Sequence, residues 1–302
     1  MSDNKNHAAD ANRITREYMD SILIEQRLID SEVPTLATEL FGVKFDTPVM
    51  MPAFSHLRSS GDGGKNAMIE YAVAARNLNA LNFVGMCENE ELDEIMATGA
   101  KTVRIVKPYA DKDKIYSQLA YAEEKGAIAV GMDIDHIFGS DGQYDVVVGE
   151  KMTRQTTEDL TSYIGATKLP FVVKGVLSVR DAVKCAECGV STILVSHHSG
   201  RMPYAVPPLM VLPDIVRELG SGNRMKIFVD CGIASGADVY KALALGANAA
   251  AVGRAMLPIL LSKGEEGVES YVRQMNQELA YIMGFTGCSS VKEMDSTVLR
   301  FL

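Results

Sequence analysis

Two histidines and an arginine leave the end of an apolar run at Leu194-Val195-Ser196-His197-His198-Ser199-Gly200-Arg201. An imidazole changes charge near neutral pH and can act as a base, and a guanidinium three residues on can grip a carboxylate through two parallel N–H donors. Four of the chain's five histidines, His56, His136, His197 and His198, fall just after such runs. Other runs end in Lys107 with Tyr109, in Asp133, Lys174 and Asp230, and in the pair Gly253-Arg254. A charged group at the end of a buried run needs a partner, because an isolated buried charge is costly. Titratable side chains gathered at strand ends are where α/β enzymes keep their chemistry, so the pattern points to an enzyme.

The elements that would position these residues repeat one unit: a short apolar run, a polar loop, then an amphipathic helix. The runs lie at 48–54, 81–86, 102–106, 128–133, 171–174, 192–196, 226–230 and 249–253, with helical patterns at 65–78, 112–125, 157–167, 178–189, 208–219 and 236–245. Eight strands, each too uniformly apolar to face water, require a parallel sheet covered on both sides. A single closed (β/α)8 TIM barrel satisfies that requirement, with an open doubly wound sheet as the alternative. Gly126, Gly189, Gly220 and Gly246 stand where helices stop before the next strand. Residues 1–12 read as a disordered tail, 13–302 as the barrel, and 134–154 as a loop covering the site. In a barrel the strand C-termini share one mouth, so the polar residues converge there. The loops Asp230 to Gly236 and Val252 to Ala255, after the seventh and eighth strands, suit a phosphate bound by backbone N–H groups.

Composition narrows the function classes. The chain has 302 residues, a formal net charge of -9, 47% apolar residues and no tryptophan. The acidic balance, with no long basic run, argues against nucleic acid as a partner. Five cysteines form no paired framework and suit a reducing cytoplasm. Cys185 and Cys188 form a lone CxxC inside a helical pattern, which completes no zinc site, so no metal is expected. No stretch reads as a signal peptide or a membrane span.

Four ordered motifs carry a family resemblance. Val173-Lys174-Gly175-Val176, the Val195 to Arg201 segment, the helix Asp238 to Ala247 and the ending Thr286 to Glu293 resemble motifs of the FMN-dependent 2-hydroxy-acid oxidase and dehydrogenase family, which includes glycolate oxidase, lactate oxidase and flavocytochrome b2. Weaker similarity runs back to about Asn12. The resemblance implies an FMN-binding barrel that converts a 2-hydroxy acid to a 2-oxo acid, with His198 removing a proton and hydride passing to flavin N5. It further implies that Asp133 orients His198, that Tyr109 bonds the substrate oxygen and that Arg201 binds a carboxylate. Pro52, Ala53 and Phe54 would line the flavin. Lys107, Lys174, Ser196, Asp230 and Gly232 would surround it, with Gly253 and Arg254 on its phosphate. His197 stands where the family has asparagine, Lys107 where it has glutamine, Gly131 where it has threonine and Ala234 where it has arginine. The family's second arginine after the fourth strand and its amino-terminal tyrosine have no counterpart. A substrate larger than, or charged differently from, glycolate follows, with His56, His136 or Lys107 supplying contacts. The implied partners are a small anionic substrate and oxygen, a quinone or a protein as electron acceptor, in a homotetramer or homo-octamer. The alternatives are an FMN-dependent isomerase of the type 2 isopentenyl diphosphate kind, or a barrel that binds a phosphorylated ligand without redox activity.

Overall fold

The computed structural model of the chain describes residues 10–57, 66–220, 222 and 224–302. Its central sheet has eight strands: β1 (Val49–Met50), β2 (Asn82–Val84), β3 (Thr102–Val106), β4 (Ala129–Asp133), β5 (Phe171–Val176), β6 (Thr192–Val195), β7 (Lys226–Val229) and β8 (Ala249–Ala251). From β2 to β8 each strand pairs in parallel with its sequence neighbour, and β8 returns to β1. The gap between β1 and β2 is closed by Met51 N–H donating to the Leu81 carbonyl at 2.9 Å and Gly85 N–H donating to the Phe54 carbonyl at 2.8 Å. The result is the (β/α)8 barrel, not the open sheet.

Period-two alternation decides what enters the barrel. Val103, Ile105, Ala129, Val172, Leu194, Phe228, Ala249 and Ala251 share one buried cluster inside the ring, whereas their neighbours Val106, Val130, Val173, Ile193 and Val229 belong to the outer layer beneath the helices. A hairpin of Thr38–Leu40 and Val43–Phe45 adds Leu40 and Phe45 to the inner cluster. Because this hairpin leads directly into β1, it stoppers the N-terminal end of the barrel. Continuing the inward phase toward the strand C-termini gives Lys107, Asp133, Lys174, Ser196 and Asp230. The same face that is apolar at the closed end therefore becomes ionic at the open end.

Six helices fall on the patterns read from sequence: α2 (Ala67–Asn77), α4 (Lys112–Glu124), α5 (Thr157–Gly165), α6 (Val179–Glu187), α7 (Pro208–Leu219) and α8 (Gly236–Ala244), while α3 (Asn89–Ala97) and the long α9 (Leu257–Phe285) fall outside them. Ahead of them, α1 (Ala11–Asp20) begins where a tail was expected, and the Asp10 side chain caps it by accepting from Asn12 N–H. The rest of that expected tail, residues 1–9, lies outside the described residues. After β4 the excursion 134–154 folds on itself. Phe138 bridges Tyr144, Val146–Val147 pairs with Glu150–Lys151, and Met152 bridges Tyr109. A strand at Ile22–Ile24 pairs antiparallel with the terminal strand Leu299–Phe301.

Gly131 shows how tightly β4 and β5 approach inside the ring. A Cβ added there would lie 2.1 Å from the Val172 carbonyl oxygen, a backbone atom that cannot move aside. Overpacking of this kind costs about 1–3 kcal/mol. Gly131→Ala is expected to lower the midpoint of a thermal melt followed by circular dichroism, and an unchanged midpoint would show that the strands can separate freely.

Candidate active site

The mouth of the barrel holds a buried chain of opposite charges. Asp133 at the end of β4 is 3% exposed, Lys107 beyond β3 is 5% exposed and Lys174 in β5 is 4% exposed, so none of them can rely on water. Lys107 Nζ donates to Asp133 Oδ2 at 2.7 Å, and Lys174 Nζ lies 3.6 Å from Asp133 Oδ1 and 3.3 Å from Asp135 Oδ2. Burial alone would raise the Asp133 carboxyl, but the ammoniums of Lys174 and Lys107 outweigh it and hold Asp133 well below the ordinary carboxylate range. Burial would likewise depress Lys174, yet Asp133 and Asp135 keep it raised and charged. Asp135 moves the other way, raised by its own burial and by the Asp133 charge.

His198 completes the cluster. Its Nδ1 lies 2.7 Å from Asp135 Oδ1, 3.1 Å from Lys174 Nζ and 3.5 Å from Asp133 Oδ2. The carboxylate nearest the candidate base is thus Asp135. The family resemblance gives the orienting role to Asp133, which also faces Nδ1 but lies farther away and is shared with Lys107 and Lys174. Burial and Lys174 lower the His198 pKa, but its bonds to Asp133 and Asp135 more than offset them and leave it raised. On its other side His198 Nε2 is 3.3 Å from His136 Nε2, while His136 Nδ1 lies 3.0 Å from Arg201 Nη1. A guanidinium can only donate, so His136 Nδ1 accepts and its ring proton sits on Nε2, facing the His198 lone pair. Burial, with Lys107 and Arg201 nearby, pushes His136 down to about 3, which keeps it neutral.

Local backbone geometry aims these groups. His198 and Ser199 have left-handed φ of 46° and 58°, a conformation that non-glycine residues rarely adopt. Ser196 Oγ accepts from His198 N–H at 3.0 Å, and His197 Nδ1 accepts from Gly200 N–H at 3.0 Å. The His197 proton is therefore on Nε2, 2.8 Å from Thr15 Oγ1 of α1, and burial lowers its pKa in keeping with a neutral ring. His197 is a structural bridge to α1. In β5, Gly175 leaves room for Asp135, whose carboxylate would lie 2.7 Å from an added Cβ.

Beside the cluster a cavity of about 780 Å³ runs from Lys174 and His198 past Asp230, Cys231 and Gly232 to Gly253 and Arg254, with Pro52, Ala53 and Phe54 along one wall. Ser196 and Lys107 are not among its lining residues and act from behind it. Tyr109 departs from expectation: Tyr109 N–H folds back onto the Lys107 carbonyl, which ends the inward alternation at Pro108. Its ring packs in the outer layer, with the Lys114 ammonium 4.8 Å from its centre. His56 is exposed and does not line the cavity. The phosphate cradle after β7 is partly occupied, since Ala234 N–H donates to Asp238 and Gly236 N–H to Glu278. The anion-binding capacity at this end falls to Gly253 and the exposed Arg254.

Residues that sequence reasoning missed are Asp135 and Asp145. The Asp133-Ile134-Asp135-His136 spacing carried a signal for Asp135. Asp145, which contacts Arg201, carried none, while Cys231, which accepts from the Ser199 N–H, lies in the 230–236 loop already singled out.

The donor set suits a planar cofactor with an anionic tail: an apolar wall, a buried ammonium at the inner end, and a glycine with an arginine at the outer end. Comparison with known proteins agrees. The family model for FMN-dependent dehydrogenase matches residues 2–157 and 143–301. A peroxisomal (S)-2-hydroxyacid oxidase of Arabidopsis thaliana is 26% identical over 90% of this chain and 83% of its own length, and a glycolate oxidase of Spinacia oleracea is 27% identical over 92% and 84%. The crystal structure of mandelate oxidase with benzoyl-formic acid superposes with a TM-score of 0.87 at 25% identity, covering 97% of this chain and 90% of that one. A mandelate oxidase variant bearing a C4a-OH-FMN adduct gives 0.86 at 25% identity, over 98% and 94%. The chain belongs to the FMN-dependent dehydrogenase family. It is an oxidoreductase with FMN as cofactor.

Asp133 and Asp135 together raise the His198 pKa, so Asp135→Asn, which removes one of the two charges, is expected to lower it. An NMR titration of the His198 ring checks this, and a pKa that stays put would assign the perturbation to Asp133 alone.

Proposed function

We propose that the protein oxidises a 2-hydroxy acid to the 2-oxo acid, with His198 as the base. The observation that carries the reading is the fixing of His198 at one nitrogen. Asp135 holds Nδ1, and the lone pair at Nε2, which faces the His136 Nε2–H at 3.3 Å, takes the proton from substrate when substrate displaces that contact. Arg201, three residues on and within 3.0 Å of His136, supplies the charge that receives the substrate carboxylate. As the proton arrives, Asp135 and Asp133 stabilise the imidazolium, and the buried ammoniums of Lys107 and Lys174 keep Asp133 ionised throughout. When bound, FMN supplies the acceptor for the two electrons that the substrate carbon gives up. Lys174, Gly232, Gly253, Arg254 and the Pro52 to Phe54 wall would hold it.

Phe138 and Tyr144 stack at 5.7 Å between ring centres, and Met202 is exposed next to Arg201, whose Nη2 donates to the Phe138 carbonyl. This apolar rim supports a substituent larger than that of glycolate. The oxidase relatives favour oxygen as the acceptor, and the family match favours oxidation over the isomerase and non-redox alternatives. No helix of the described residues is long and apolar enough to cross a membrane. Five free cysteines support a reducing compartment such as the cytoplasm, and assembly as a homotetramer or homo-octamer remains part of the proposal.

Two observations test this reading. Anaerobic addition of 2-hydroxy acids with increasingly large apolar substituents is expected to bleach the flavin absorption band. His198→Ala is expected to keep the band in the absence of substrate and to slow bleaching by about 10²-fold or more. Bleaching at the wild-type rate in that variant would remove His198 from the role of base.

A further inference from the structure

The guanidinium assigned to the substrate carboxylate is already held by one from the chain itself. Arg201 Nη2 lies 2.6 Å from Asp145 Oδ2 and 2.7 Å from the Phe138 carbonyl oxygen, and Nη1 lies 3.0 Å from His136 Nδ1. Asp145 is not a side chain that happens to swing past. Its N–H donates to the Ile137 carbonyl at 2.9 Å, its carbonyl accepts from Met152 N–H at 2.8 Å, and its Oδ1 accepts from Val146 N–H at 2.9 Å. The folded excursion after β4 therefore delivers a carboxylate to Arg201 in a fixed position. The charges at the mouth come out paired: Lys107, Lys174 and Arg201 stand against Asp133, Asp135 and Asp145. An incoming carboxylate meets a site with little net positive charge, and it gains Arg201 only by competing with an anion already in place.

We infer that Asp145 is a specificity-determining residue, an internal carboxylate that competes with the substrate carboxylate for Arg201 and so weakens the binding of small anionic substrates. A 2-hydroxy acid with only its carboxylate and hydroxyl to offer pays the full cost of that competition. One whose substituent also packs on the stacked Phe138 and Tyr144 rings recovers binding elsewhere, so the site selects for the apolar group. The inference rests on the hydroxy-acid reading for the identity of the competing anion, while the competition itself is a property of Arg201 and Asp145.

The test uses the FMN-loaded protein and oxalate, a planar dianion that binds without reacting, followed through its perturbation of the flavin absorption band. Asp145→Asn keeps the side-chain oxygen that accepts from Val146 N–H and removes the charge. It is expected to tighten oxalate about tenfold, with Asp145→Ala acting in the same direction. In an Arg201→Met background the same substitutions are expected to change affinity less than twofold. Unchanged or weaker binding in both Asp145 variants, or equal tightening with and without Arg201, would overturn the inference. Tightening of oxalate in a protein whose flavin no 2-hydroxy acid bleaches would support the role of Asp145 and count against the proposed reaction. Bleaching by a 2-hydroxy acid, with oxalate affinity unmoved by either variant, would do the reverse.

Discussion

The site depends on Asp133 being ionised in a place where water cannot reach it. A carboxylate buried at the centre of the mouth is stable only because Lys107 on one side and Lys174 on the other supply the compensation that solvent would otherwise give. Removing either ammonium would leave an uncompensated charge and disturb everything arranged around it. Asp135 depends on the same balance: it sits beside a like charge, is raised by it, and is held by Lys174 and His198. The candidate base is thus oriented by a network whose members are individually costly and mutually required.

Around that network the fold supplies rigidity from several directions. The strands bring Lys107, Asp133 and Lys174 into one layer by register alone. The turn after β6 is locked by Ser196, Gly200 and His197, and α1 braces it through Thr15. The same helix reaches the next loop, where Arg16 makes a two-pronged pair with Asp238 and also donates to the Gly232 carbonyl. Two neighbouring loops of the mouth, one carrying the candidate base and one lining the cavity, are therefore tied together by a single element that is not part of the barrel.

Most of the architecture was legible because the barrel obeys simple periodicities. Eight apolar runs, the helices between them and the change from apolar to ionic along the inward face can be read from residue order, and so can the convergence of Asp133, Lys174 and His198. Tyr109 does not line the cavity because the turn from Lys107 carries its ring into the outer layer, and sequence order does not show that turn. The start of α1 is not marked by apolar periodicity, since its first apolar side chain larger than alanine is Ile14, although Asp10 is of a type that caps helices. Asp145 could not have been found, since it is brought to Arg201 by the pairing of a small ladder within the 134–154 excursion rather than by any spacing. The addition of Asp135 beside Asp133 as a partner of His198 also lies beyond sequence, since it is the short helical turn after β4 that brings Asp135 to the imidazole.

The pairing of Ile22–Ile24 with Leu299–Phe301 sets an order on assembly. These strands lie more than 270 residues apart, and α1 ends only two residues before the first of them. Joining segments so distant carries a large loop-closure cost and comes late relative to contacts between neighbouring βα units. During synthesis the barrel can close while α1 still lacks this anchor, held until then by Arg16 on Asp238 and Thr15 on His197. The mouth is thus finished by a contact between segments at opposite ends of the barrel's chain order rather than by the barrel strands themselves.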